Sequence, residues 1–485
     1  MKNRSSGILL SLFLLLLLAA TFPFKLKSQV YQDSIPPKME WFTDAKLGIF
    51  IHWGIYAVEG TSESWSFHNR RTTYPYYMGQ MRGFKAQNYK PQEWADLIRE
   101  SGARYAVITL QHHDGVALWN TRQLTPTTAH NLGADKPLIQ PKKPLWNPKK
   151  PLSTIEQTPA GRDLITPFVA ALRERGLKFG AYYSLLNWSH NDYNGFFKDY
   201  NRYKINEDTA RWNRFLSYMH GQIREISSEF NPDLYWFDGD WEHTEEEWKA
   251  DEIQHIIQSR NPAAIVNGRL KSFGDYHTPE QNMPVTRPSS KVWELCLTSN
   301  DNWGWRPNDT LMKSTNQIIR VFAECISMGG NLLLDIGPKQ DGTITPEQTQ
   351  LLKELGRWTR KHQEAIFGSR EGLPYGHFHG PSTLSKDSTT LYLFLTDIKK
   401  VKEGNTQTGI NLMLKGIRNK VVSAQVIGDN NQIPVTVMGK IDWSSVPGTL
   451  FLEIDPIQLD EEVTVVKVQL DGPIRLYRGK GGFAD

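Results

Sequence analysis

The chain has 485 residues, too many for one ordinary core, and length alone predicts about two to three domains. Its 56 basic and 52 acidic residues leave a formal charge of +4, and Lys2, Arg4, Lys25 and Lys27 supply all of it from a 28-residue head without acids. The remainder is near neutral, which excludes a broadly basic face for nucleic acid. Two cysteines, Cys296 and Cys325, exclude a disulfide framework and are expected as buried thiols.

Residues 1–28 carry Lys2 and Arg4, then a leucine-dominated apolar stretch from 8 to 20, then a short polar region. That order predicts a cleavable signal peptide, and the apolar run is shorter than the ~20 residues a membrane span needs. A secreted or periplasmic protein with no stable membrane insertion follows.

From residue 46 to about 366, short apolar runs alternate with longer amphipathic stretches, the pattern of a parallel sheet with crossover helices. Strands are predicted at 47–52, 105–110, 179–184, 234–237, 264–267, 292–297 and 331–336, and helices at 91–101, 162–175, 209–228 and 314–328. Leu164, Ile165, Phe168, Val169 and Leu172 fall at spacings of three and four, a stripe for packing on the sheet. The fold class is α/β, a (β/α)8-like, TIM-type barrel over residues 29–367; seven strands in place of eight leave it irregular. Residues 125–158 break the rhythm with prolines and lysines, including Lys142, Lys143, Lys149 and Lys150. Loops of that length are usually functional or disordered, and Trp146 is expected near the site mouth.

Past about 368, alternating runs at 390–395, 409–414, 421–426, 449–454 and 463–470 between Gly, Asp and Asn turns predict a C-terminal antiparallel β-sandwich to residue 485. No aromatic platform for sugar is apparent there, so a buttressing role is expected.

In barrels of this type, functional residues stand at the carboxyl ends of strands. The predicted strands end in His52-Trp53, His112-His113-Asp114, Ser184, Asp238, Arg269, Thr298 and Asp335. The apolar run 234–237 delivers Asp238, followed by Gly239 and flanked by Trp236 and Trp241, and the next strand is followed by Glu280. Two carboxylates at successive strand ends, among Trp, Tyr and His, suit glycoside cleavage, where one acid attacks and the other donates a proton. His52, His112 and His113 admit a second reading, a metal-dependent hydrolase. Against it, adjacent His112 and His113 are expected on opposite sides of an extended strand.

The chain resembles glycoside hydrolase family 29 α-L-fucosidases through residues 41–54 (WFTDAKLGIFIHWG), 111–115 (QHHDG), 161–164 (GRDL), 180–184 (GAYYS), 236–239 (WFDG) and 329–338 (GGNLLLDIGP). The resemblance implies a retaining exo-enzyme that releases terminal α-L-fucose from fucosylated glycans, needing no metal and no cofactor. It implies Asp238 as nucleophile and Glu280 as acid/base, with Glu294 the rival. It also implies His52, Glu63, Trp65, His112, His113, Tyr183, Arg269 and Glu294 around the sugar, with Trp303 on its C6 methyl. Four features depart from the family pattern: Ser64 separates Glu63 from Trp65, Gly268 stands between Asn267 and Arg269, Asp335 replaces a common asparagine, and the Pro- and Lys-rich insertion is atypical. A fucose-binding protein without turnover is a further alternative, disfavoured because both carboxylates are present.

Overall fold

The computed structural model describes residues 35–126, 145–398 and 409–479. The signal segment, Lys142, Lys143 and most of the 125–158 insertion lie outside the described residues. Trp146 is inside them and is buried in the core. It belongs to the packing of the core rather than to an open surface.

Seven parallel strands form the central sheet: β1 (Leu47–Ile51), β2 (Tyr105–Gln111), β3 (Lys178–Ser184), β4 (Leu234–Asp238), β5 (Ile265–Val266), β6 (Glu294–Thr298) and β7 (Asn331–Ile336). Their spatial order is β5-β4-β3-β2-β1-β7-β6. The gap between β5 and β6 is bridged by residues 276–280, where parallel bridges join Asn267 to Tyr276, His277 to Trp293 and Glu280 to Cys296. Backbone bonds from Glu294 N to His277 O at 2.8 Å and from Cys296 N to Pro279 O at 3.1 Å fix that segment. It occupies the place of an eighth strand, but Pro279 within it and Pro284 just beyond lack ladder donors, so no regular strand forms. This irregular segment carries Glu280.

Strand parity divides the buried side chains into two cores. Phe50, Tyr105, Val107, Tyr182, Leu234, Trp236 and Cys296 are buried but stand apart from the cluster formed by Ile49, Ile108, Ala181, Tyr235 and Leu295. The second set packs beneath the helices α1 (Pro91–Glu100), α2 (Ile165–Glu174), α3 (Thr209–Phe230), α4 (Ala250–Arg260), α5 (Thr315–Ser327) and α6 (Pro346–Lys361). On α2, Ile165, Phe168, Val169 and Leu172 are buried as their spacing predicts, and each such side chain contributes about 1.5–3 kcal/mol. Helix ends follow local chemistry: Ser314 and Gln317 form a reciprocal capping box on α5, and Asn231 in left-handed conformation ends α3.

The architecture changes after Phe367. Strands β8 (Arg370–Glu371), β9 (Ser382–Leu384), β10 (Thr390–Leu395), β11 (Ile410–Lys415), β12 (Val421–Val426), β13 (Val435–Met438), β14 (Thr449–Ile454) and β15 (Thr464–Leu470) form two antiparallel sheets, β8-β9-β10-β15-β12 and β11-β14-β13. Leu391, Leu393, Val466 and Val468 face the core between them, whereas Tyr392, Phe394 and Val465 join the barrel's core. Trp358 on α6 donates its indole N–H to Val463 O at 2.8 Å. One face of the sandwich is therefore continuous with barrel packing. Cys296 and Cys325 are free and buried, as expected.

Candidate active site

Asp238 closes β4, a strand buried at every position. The Asn267 side chain clamps that strand end, accepting from Phe237 N and donating to Phe237 O, both at 2.9 Å. Gly239 then turns the chain with φ +91°, and a Cβ there would come within 2.3 Å of Leu186, so only glycine fits.

The carboxylate held this way has charged and neutral partners. Arg269 Nη1 donates to Asp238 Oδ1 at 2.8 Å, and the Tyr182 hydroxyl donates to Oδ2 at 2.8 Å. The other end of the same guanidinium, Nη2, donates to Glu280 Oε2 at 2.6 Å. Arg269 is itself fixed by stacking over Trp236, 4.5 Å from the ring centroid, and by its Nε–H on Thr278. One cation thus joins two carboxylates that differ in access: the Asp238 side chain is 11 % exposed and that of Glu280 is 42 %.

His52, His112 and His113 line the same strand ends. The ring Nδ1 atoms are engaged by Asp335 Oδ1 at 2.6 Å, Ser64 Oγ at 2.8 Å and Ser184 Oγ at 2.6 Å respectively. Burial holds all three well below the ordinary imidazole range, with neighbouring histidines adding to the effect, so the rings are neutral. His112 and His113 do not diverge as an extended pair would. β2 ends at Gln111, the chain turns, and the two rings lie 4.2 Å apart. His113 Nε2 is 3.7 Å from Asp238 Oδ2, beyond hydrogen-bond reach, and has no protein partner. Among the described residues, no three His, Cys, Asp or Glu side chains converge as a metal's ligands do.

Aromatic rings complete the walls. Trp303 lies 5.0 Å from His52, and Trp65 meets His113 edge-on at 5.3 Å. Glu63 Oε1 accepts from Gly304 N at 2.6 Å, which ties the Trp303 loop to the Trp65 loop; burial pushes the Glu63 carboxyl up to about 6. Ring faces beside neutral imidazoles, with a cation-held carboxylate between them, offer apolar and hydrogen-bonding contacts to a polyhydroxylated ring.

Comparison with known proteins identifies that ring. The family profile described as Alpha-L-fucosidase matches residues 24–364. The tissue alpha-L-fucosidase of Macaca fascicularis is 30% identical over 407 residues, covering 76% of this chain and 78% of its own. The chain belongs to the α-L-fucosidase family. It is a glycoside hydrolase. Among solved structures, alpha-L-fucosidase isoenzyme 1 from Paenibacillus thiaminolyticus superposes with TM-score 0.73 at 28% identity, covering 90% of this chain and 99% of that one. An alpha-L-fucosidase from Bacteroides thetaiotaomicron, trapped as a covalent intermediate with 2-fluoro-fucosyl fluoride, matches with TM-score 0.72 at 21% identity, over 90% and 97% of the chains.

Of the residues expected at the site, Asp238, Glu280, Arg269, His52, His112, His113, Glu63, Trp65 and Trp303 gather at one end of the barrel. Tyr183 does not join them. Its hydroxyl donates to Gln222 on α3 at 2.7 Å and its ring packs in the outer core, because its neighbour Tyr182 has the inward parity. Glu294 is inward but deep: it is fully buried at the start of β6 and accepts from Tyr105, Trp236 and Tyr276 at 2.5, 3.1 and 3.4 Å. Trp236 stands over it, and burial pushes its carboxyl up to about 7. Both side chains are fully buried. Tyr182 and Ser64 are partners that sequence reasoning missed, and Ser184, read only as a strand end, is a third. Parity with Asp238 across the β3–β4 register, which pairs Ser184 with Asp238 and Tyr182 with Trp236, is the signal that finds two of them.

Proposed function

We propose that the enzyme is a retaining exo-α-L-fucosidase in which Asp238 attacks C1 of a terminal fucosyl residue. The Asp238 oxygen forms a bond to C1 as the C1–O glycosidic bond breaks, and Glu280 gives its proton to the departing oxygen. Glu280 then takes a proton from water, whose oxygen displaces Asp238 from C1 and frees fucose. The bridge from Arg269 to both carboxylates carries this assignment: it ties the attacking group and the proton donor to one rigid planar fork, the less exposed carboxylate below and the more exposed one toward the leaving group.

His52, His112, His113, Glu63 and Trp65 surround the sugar in this reading, with Trp303 against its methyl. Sites built to bond hydroxyls reject analogues that lack them, which gives fucose discrimination a physical origin. Residues 29–367 act as the catalytic barrel and 368–485 as the sandwich that supports it. The substrates are α-L-fucosylated oligosaccharides or glycoconjugates. The charged and apolar order of residues 1–28 supports export, and none of the described helices is long and apolar enough to cross a membrane.

Proton NMR during hydrolysis of 4-nitrophenyl α-L-fucoside tests the stereochemistry. The α-anomer of fucose is the expected first product; first formation of the β-anomer would sink the double-displacement mechanism. Amino-terminal sequencing of the exported protein should begin near residue 29, and an intact Met1 in secreted material would refute cleavage.

A further inference from the structure

His52 and Asp335 form a buried pair whose proton content the geometry restricts. Asp335 lies on β7, held in the ladder between Phe50 on β1 and Thr298 on β6, and is fully buried. Its Oδ1 is 2.6 Å from His52 Nδ1, whereas Oδ2 is buried without a hydrogen-bond partner. The titratable groups facing the pair are Glu63, Lys313, Tyr56, His112 and Asp238. Lys313, the cation nearest Asp335 among these, is committed elsewhere, donating to Asn300 O at 2.6 Å and to Thr298 Oγ1 at 3.4 Å.

We propose that Asp335 is a positioning residue: its carboxyl group and the His52 ring hold two protons between them, so that His52 Nε2 presents an N–H donor to one hydroxyl oxygen of the substrate. With one proton the pair would carry a net negative charge in a buried setting, with an unpartnered oxygen and Glu63 nearby, which burial disfavours. With two protons it is neutral. With the ring neutral, the shared proton sits on Oδ1 and is donated to Nδ1, and the second is on Nε2. A carboxyl proton on Oδ2 would find no acceptor. Burial pushes Asp335 well up, Glu63 acting in the same sense and the His52 backbone and Lys313 against it, and burial pushes His52 well down, which agrees with the two-proton state. A carboxyl group can share a proton in this way, whereas an asparagine amide can turn either its oxygen or its nitrogen toward Nδ1 and so admits both ring tautomers.

The consequence for catalysis rests on the reading that His52 meets the substrate, and two measurements separate the claims. Nitrogen-15 NMR of the full chain, with the His52 signals assigned through His52→Gln, is expected to show a protonated Nε2 at neutral pH. A bare Nε2 with a protonated Nδ1 would overturn the proposal. In Asp335→Asn the Nε2–H signal should weaken as the second tautomer appears, and kcat/KM for the aryl fucoside should fall two- to tenfold with the melting temperature unchanged. An Asp335→Asn protein with wild-type kcat/KM and an undiminished Nε2–H signal would overturn it equally. Should His52→Gln itself retain full kcat/KM, the substrate contact fails while the NMR result still decides the proton count.

Discussion

The mouth and the floor of the barrel each hold an inward carboxyl group, and their partners differ in kind. At the mouth, Asp238 touches a guanidinium and a phenol, and its side chain retains some exposure. At the floor, Glu294 touches only neutral donors, two phenols and an indole, with no exposure. A contacting cation stabilises negative charge, whereas burial among neutral donors favours the proton. In the proposed mechanism the same residue chemistry is a reagent at one end of the sheet and a structural group at the other, and Trp236 lies between them.

Five variants sharpen or break that contrast. Asp238→Ala should lower kcat by about 10⁴-fold or more, the scale seen when a nucleophile is removed, with binding retained; steady-state kinetics and ligand binding check this, and an active variant would place the nucleophile elsewhere. Glu280→Gln should cost about 10²–10⁴-fold on glycans, the range for general acid/base groups. The loss should shrink with a nitrophenol leaving group, which needs little protonation. Equal losses on both substrates would argue against the acid role.

Glu294 should reveal itself through stability. The folded protein keeps its proton to about pH 7, whereas the ordinary value is 4.5, so the native state binds the extra proton between those limits. Stability therefore falls as pH rises through that window, by about 3 kcal/mol. Glu63, raised to about 6, acts in the same sense. Denaturant melts of Glu294→Gln across pH 4.5–7 should show a flatter profile than wild type; an unchanged slope would mean that Glu294 is ionised at the floor. The smallest effect separates two neighbours. Tyr182→Phe should lower kcat/KM about 10- to 100-fold, the worth of a hydrogen bond to a charged group, and Tyr183→Phe should cost about 1 kcal/mol of stability with catalysis intact.

Much of the barrel was legible because strands buried on both faces leave continuous apolar runs. The 331–336 strand coincides with its prediction, and 105–110 falls one residue short of β2. What escaped were features decided by partners distant in the chain. The Tyr182-Tyr183 dipeptide offers two identical side chains, and only the register against Asp238 shows which faces inward. Glu280 was legible as a loop acid, but its place on a segment completing the sheet depends on bridges to Asn267 and Cys296 neighbours that no local pattern encodes. Glu294 looked eligible for catalysis because sequence does not report depth. In the sandwich, β13 was missed because its residues are largely exposed and carry no clean alternation.

The central claim is that Asp238 is the group that bonds to the sugar. The most direct measurement is incubation of the mature enzyme with 2-fluoro-fucosyl fluoride, followed by intact mass and peptide mapping. The account predicts one fluorofucosyl adduct per chain, located on Asp238 and lost in Asp238→Ala. An adduct on another carboxylate, or inactivation without any adduct, would contradict it.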